Sequence, residues 1–256
     1  MIIDARLDDN FSQAVSPYPP TPQQSLFFYL ANRIEMNRSG SDEFILQPST
    51  VVVGPQVNRV NLKVGSHHKA VRVGFHPGGL FRLLGIPMHE LLDEGIDAEL
   101  FFGSALKILH EKLQEAPDHT SIKNLIEDFL IERSLKLRSF HPIDLAMKNL
   151  VASGGLLSME QLASQSFLSL RQFERVCKAR LGMNPKLFAR IARFSKAYRI
   201  SENQQHVNWT SLAHECGYFD QMHLIRDFKD FAGVNPRIII SQLSATPLRL
   251  QKDISL

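Results

Sequence analysis

Arg171, Glu174, Arg175 and Lys178 recur at helical spacing, and Gln221, Met222, His223, Arg226 and Lys229 do the same some 50 residues later. Arg and Gln carry paired hydrogen-bonding atoms that match guanine and adenine edges, and Lys holds phosphate as a point charge. Glu174 is repelled by phosphates unless it accepts from a cytosine amino group, and Met222 offers only apolar contact. His223 has two readings of equal weight, contact with a base or phosphate, or packing against Tyr218. Together these side chains suit recognition of double-stranded DNA rather than a reaction.

The elements that must carry them are built twice. Leu162-Ala163 matches Leu212-Ala213 at a shift of 50. One inserted residue makes the shift 51, and Arg175, Lys178, Gly182, Asn184 and Pro185 then match Arg226, Lys229, Gly233, Asn235 and Pro236. Agreement at a fixed period marks one supersecondary unit used twice. Ser158 with Gln161 forms a capping box at a helix start, Ser169 is the next N-cap, and Phe173, Val176 or Cys177, and Leu181 follow at spacings of three and four. Gly182 ends that helix; Asn184 caps the next, with Pro185 in its first position. Asn208, Asp220, Gly233, Asn235 and Pro236 repeat the devices. Each unit therefore reads as helix, turn, helix, and the outward Arg, Gln and Lys separate this from a generic helical hairpin.

Between the copies, Leu187, Ile191, Phe194 and Tyr198 form one apolar stripe on a helix over 186–201, while Arg190, Arg193, Lys196 and Arg199 lie on its other faces. Sixteen residues make a rod of roughly 24 Å. With half a helix diameter at each end, that approaches the spacing of about 34 to 36 Å between successive major-groove windows. Arg193, near the middle, is expected to touch phosphate or to brace the two units.

Charge follows the same division. Residues 1–140 hold 14 Lys and Arg against 17 Asp and Glu, whereas 141–256 hold 15 against 9. A polyanion should dock on the second part. Length and an apolar share of 44% suit two domains, placed at 1–140 and 141–256. The amino end lacks a signal-peptide pattern and no run of 18 apolar residues occurs, which predicts a cytoplasmic protein with no membrane partner. Two cysteines, Cys177 and Cys216, make neither a disulfide framework nor a zinc site and read as buried fillers. No metal site and no cofactor are expected.

The first part reads as α+β. Ser16–Pro22 is extended by its prolines. Leu26–Leu30, Phe44–Leu46, Val51–Val53, Val60–Val64 and Ala70–Phe75 are strands by composition and turn signals. Helical spacing begins at Leu80 and returns in Met88–Leu92, Ala105–Leu113 and Ile122–Leu137. Adjacent His67 and His68 point to opposite faces of a strand and cannot chelate one ion together, and solvent-exposed imidazoles are the expectation. Gly78-Gly79 is expected to form a tight turn rather than a phosphate cradle. Glu90, Asp93, Glu94, Asp97 and Glu99 are expected to line a wet helical face.

The carboxy-terminal residues match a known family. The stretch from Ser158 to Ser201, followed by Trp209 to Lys229 with its Gly-Tyr-x-Asp-Gln-x-His segment and closed by Gly233-Val234-Asn235-Pro236, resembles the DNA-binding domain of AraC/XylS-type transcription regulators. The likeness spans roughly residues 145–245. It implies base contacts from Arg171, Glu174 and Arg175 in one unit and from Gln221, Met222 and Arg226 in the other. Double-stranded DNA is the implied partner, with RNA polymerase and a small-molecule effector as further candidates. The segment Val71 to Pro87, with Phe75-His-Pro-Gly-Gly79 and Glu90-Leu91, is similar to a small α+β amino-terminal module on a branch of these regulators. That likeness spans about residues 10–115 and implies sensing or homodimerisation rather than a reaction. The expected architecture is an α+β domain followed by an all-α domain of two helix-turn-helix units joined by a long helix. The alternative is an enzymatic or protein-interaction domain on a DNA-binding tail. A reactive-thiol enzyme is excluded because residues 1–150 contain no cysteine.

Overall fold

The computed structural model describes residues 1–7, 15–38, 40–203 and 207–244. Its amino-terminal part holds two antiparallel sheets. Strands β1 (Ile2–Arg6), β3 (Gln24–Tyr29), β6 (Thr50–Val53), β8 (His67–Phe75) and β9 (Gly95–Asp97) form one, in the order β1-β8-β3-β6-β9. Strands β2 (Val15–Tyr18), β4 (Glu35–Arg38), β5 (Ile45–Leu46) and β7 (Val60–Lys63) form the other, in the order β2-β7-β4-β5.

Side-chain alternation on β3 decides what each face meets. Leu26 and Phe28 pack into one core; Phe27 and Tyr29 pack into another with Tyr18, Val60 and Leu62 of the second sheet. The first core is closed by helices α1 (Gly79–Leu84), α2 (Glu99–Phe102), α3 (Ser104–Glu115) and α4 (His119–Ser134), through Leu80, Leu106, Leu113 and Ile122. All five expected strands form, and β1, β2, β4 and β9 are additional. Pro17 sits in β2 at a sheet edge, where its missing N–H leaves no internal ladder bond unmade. Met88–Leu91 is a 3-10 turn rather than the start of an α-helix.

Two expectations are corrected here. His68 is buried, its Nδ1 lying 3.2 Å from the Asn32 carbonyl oxygen and its ring beside Tyr29; burial lowers its pKa. The acidic cluster does not line a helical face, because its members fall in a 3-10 turn, a loop, β9 and the start of α2. Asp93, at φ 57°, accepts from Val57 N, Asn58 N and Asn58 Nδ2 at 2.8, 3.1 and 2.8 Å, so it organises the loop between β6 and β7.

The described residues of the carboxy-terminal part form helices only: α5 (Pro142–Ala152), α6 (Met159–Gln165), α7 (Leu170–Leu181), α8 (Pro185–Glu202), α9 (Trp209–Glu215), α10 (Gln221–Ala232) and α11 (Pro236–Ser244). One core runs through it from Ile143 to Ile239, with Ile191, Phe194 and Tyr198 of α8 at its centre. The second unit repeats the first in length as well as order. Helices α6 and α9 both span 7 residues, and α7 and α10 both span 12.

A joint connects the two parts, built on the Pro77-Gly78-Gly79 turn. Gly78 adopts φ 78°, and a Cβ placed on it would fall 2.1 Å from Asp144 Oδ1. The space above the turn is thus filled by the Asp144 carboxylate, which removes the phosphate-cradle reading. Asp144 pairs with Arg180, whose Nε and Nη2 donate to Oδ1 and Oδ2 at 2.7 and 2.6 Å, and the guanidinium lies 4.6 Å from the Phe81 ring centre.

Candidate nucleic-acid interface

The local devices that aim α7 and α10 are those the sequence announces. Ser158 and Ser169 each form a complete capping box, with Gln161 and Gln172 respectively. Asn208 Oδ1 accepts from Ser211 N at 3.1 Å, and Asp220 Oδ1 from His223 N at 2.8 Å. Gly182 and Gly233 end α7 and α10 in the left-handed region at φ 86° and 73°, where a Cβ is disfavoured. Leu162, Ala163, Phe173, Cys177 and Leu181 turn inward, as do Leu212, Ala213, Leu224 and Phe228. Both thiols are buried; burial pushes the Cys216 pKa up to about 11 and raises that of Cys177.

With those faces buried, the opposite faces are solvent. Arg171, Glu174, Arg175 and Lys178 are exposed on α7; Met222, His223, Arg226 and Lys229 are exposed on α10, and Gln221 is half-buried. Among the described residues, the Arg171, Arg175, Lys178, Arg226 and Lys229 side chains form no ion pair. Gln221 Oε1 accepts from Thr210 Oγ1 at 2.9 Å, which fixes the amide against α9. His223 does not pack on Tyr218; its Nδ1 lies 2.8 Å from Asp220 Oδ1 and its ring meets the edge of Phe219.

Other cations of this part are taken up inside the fold. Arg193 Nη2 donates to the Gly155 carbonyl at 3.1 Å, and its guanidinium lies over Tyr218 of the second unit. Both contacts are of the kind that the bracing role, one of the two expected for Arg193, requires. Arg190 Nη2 donates to Asp227 and Asp230 at 2.6 Å each, tying α8 to α10. Lys196 Nζ donates to the Glu215 carbonyl at 3.5 Å. Sequence reasoning gave no signal for the Asp144–Arg180 pair, whose members lie 36 positions apart. Nor did it single out Phe167 and Phe219, both exposed in the turns ahead of α7 and α10.

The carboxy-terminal residues 162–240 match the family model described as "Helix-turn-helix domain", a stretch that takes in both duplicated units. The carboxy-terminal domain is thus an AraC-type helix-turn-helix domain, the DNA-binding part of a transcription regulator of non-enzymatic type. Residues 3–97 of this AraC-type regulator match a model described as "Domain of unknown function (DUF6597)". No curated protein matches.

Among solved structures, the regulator's fold is similar to that of ToxT from Vibrio cholerae. A form bound to an unsaturated fatty acid is 11% identical, with a TM-score of 0.54 and 97% of each chain covered. The form from strain O395 is 12% identical, with a TM-score of 0.52, 96% of this chain and 98% of that one. The DNA-binding domain of the global transcriptional factor AdpA, in complex with a target DNA, is 20% identical over 41% of this chain and 96% of that one, with a TM-score of 0.39. No helix of the described residues is long and apolar enough to cross a membrane.

Two contacts bring the amino-terminal part against the far ends of α7 and α10. A Cβ on Gly182 would lie 2.4 Å from Pro55 Cγ and 2.9 Å from the Met88 carbonyl oxygen, so the end of α7 is seated on that surface. Arg59 Nη1 donates to the Ala232 carbonyl at the end of α10 at 2.9 Å, and to Gln242 at 3.3 Å. Pro55 and Arg59 both belong to the loop that Asp93 holds. Behind that loop lies an apolar cavity of about 70 Å³, lined by Tyr18, Phe27, Val51 and Leu62 with Gln56 and His68.

Proposed function

We propose that this regulator places α7 and α10 in consecutive major grooves on one side of a duplex, with residues 141–256 as the DNA-binding domain. Arg171, Glu174, Arg175, Gln221, Met222 and Arg226 read base edges, Lys178 and Lys229 hold phosphate, His223 lies at the edge of the contact, and Arg193 keeps the two units in register. The observation that supports this reading is the outward cations without an ion pair, Arg175 and Lys178 matched by Arg226 and Lys229 with Arg171 beside them, against inner cations engaged by the chain itself.

Arg171→Ala and Arg226→Ala should each lose about 1 to 3 kcal/mol of discrimination, at separate base pairs roughly one helical turn apart. The measurement is selection of bound DNA from a random pool, followed by titration of single-base variants. Wild-type affinity should also fall by orders of magnitude between about 50 and 200 mM salt if six or more phosphates are contacted. Uniform weakening across all sequences would reduce these arginines to backbone contacts. A flat salt response would remove DNA as the partner.

Residues 1–140 form the sensing part in this reading, and the cavity between the sheets supports a small apolar effector. Its roughly 70 Å³ is below the 150 Å³ that takes benzene in an engineered core. An unsaturated fatty acid of the kind bound to ToxT would therefore have to part the sheets. The Asp93-held loop at its wall is the natural relay to the ends of α7 and α10. Xenon under pressure, an apolar probe smaller than benzene, should raise the melting temperature of the wild type and not that of a Val51→Phe chain, whose cavity is filled. Equal shifts in both chains, or none at the solubility limit, remove the cavity as effector site.

A further inference from the structure

Each unit exposes one phenylalanine at the turn ahead of its second helix, and the two are reached by different routes. In the first unit it is Phe167, 84% exposed at φ 56°. The matching residue of the second unit is Gly217, at φ 72°. Both turns need this left-handed residue, because the next amide returns to the first helix: Leu168 N to Ala163 O at 3.0 Å, and Tyr218 N to Ala213 O at 2.9 Å. Glycine meets the demand without steric cost, whereas phenylalanine is strained there.

In the second unit the exposed ring belongs to the inserted residue itself. Phe219 lies between Tyr218, which matches Leu168, and Asp220, which matches Ser169, and it is 86% exposed. These are two of the three most exposed large apolar side chains among the described residues. Among the described residues neither ring is covered, apart from the edge contact of Phe219 with His223 at 5.9 Å. Backbone strain in one unit, an extra residue in the other and an aromatic ring in water in both are costs that nothing within the fold offsets.

We infer that Phe167 and Phe219 are apolar DNA contacts, each packing against a thymine methyl in the groove window that its own recognition helix enters. The inference rests on the two-groove reading above. Phe167 stands two residues before the N-cap Ser169, and Phe219 one residue before the N-cap Asp220. Each is therefore beside the first helical turn, the end that enters the groove. The thymine methyl is the apolar group on the major-groove edge, and Phe is a side chain that matches it. A contact of this kind adds sequence preference without adding charge.

The test uses the full chain and a duplex selected by the wild type, with Phe167→Gly, Phe219→Ala and Arg226→Ala. Both phenylalanine variants should bind about tenfold more weakly by fluorescence anisotropy. Their slopes of affinity against salt should match the wild type, because no phosphate contact is lost. Phe167→Gly should melt at or above the wild-type temperature, since glycine relieves the left-handed strain, so its weaker binding would not come from misfolding. Replacing thymines one at a time with deoxyuridine should weaken the wild type at one position per unit and leave the corresponding variant unchanged there. Wild-type affinity in either variant, a lowered melting temperature for Phe167→Gly, or deoxyuridine effects shared equally by all chains overturns the inference. If Arg226→Ala also keeps its full base discrimination, the two-groove reading has failed; if it alone loses discrimination, only the phenylalanine contacts have.

Discussion

Replacing Asp144 with alanine is expected to destabilise the chain by about 3 to 5 kcal/mol, because it strands the Arg180 guanidinium in a buried site without a counter-charge. Both side chains are less than a tenth exposed, at 7% and 9%, so water cannot take over the carboxylate's role. The same substitution removes the acceptor that Asp144 Oδ2 provides to His141 N, at 3.2 Å, and with it half of the capping box of α5. Equilibrium denaturation reads the loss. A double variant, Asp144→Leu with Arg180→Met, should recover most of it, since replacing both partners with apolar groups of similar size leaves nothing unpaired. A loss under about 1 kcal/mol for the single variant would mean that the buried charge finds other partners, and that the joint at Gly78 is looser than its geometry.

Gly155→Ala should cost about 3 kcal/mol, the sum of left-handed strain and a backbone collision. Gly155 adopts φ 82°, and its Cβ would fall 2.3 Å from the carbonyl oxygen of Ala189 in α8, which cannot swing away as a side-chain tip can. Its own carbonyl accepts from Arg193, so displacing the segment also loosens the brace between the units. Gly233→Ala is the matched control: φ is 73° there, but among the described residues nothing lies within 4 Å of the added carbon. That variant should lose about 1 kcal/mol of strain energy alone. Similar melting temperatures for the two variants would mean that α8 yields freely and that the close approach at Gly155 carries no constraint.

The helical half was legible because its signals are local. N-caps, capping boxes, a glycine stop and a proline restart act within three or four residues, and the chain states them twice. Ser158, Ser169, Asn184, Asn208 and Asp220 all cap where the pattern places them. The outward recognition faces follow by subtraction once Phe173, Cys177, Leu224 and Phe228 are assigned to the core. The amino-terminal half was less legible, because strand identity depends on partners. Gly95–Asp97 is a strand only through its pairing with Val51–Val53, and Glu35–Arg38 only through β5 and β7. Nothing in the periodicity of either segment announces that partner. His68 shows the same limit: alternation gives its direction, but only the second sheet and Asn32 decide that this direction is interior.

The sequence by itself determined that one helical unit occurs twice, where each helix begins and ends, and which cations must face outward, since hydrogen bonding and apolar spacing within a turn suffice for all three. Tertiary structure alone decided how the halves meet. The Asp144 carboxylate over Gly78, Pro55 against Gly182 and Arg59 at the end of α10 join residues from 66 to 173 positions apart. Such contacts depend on where two separately built surfaces come to rest, and a chain read one turn at a time has no term for that distance.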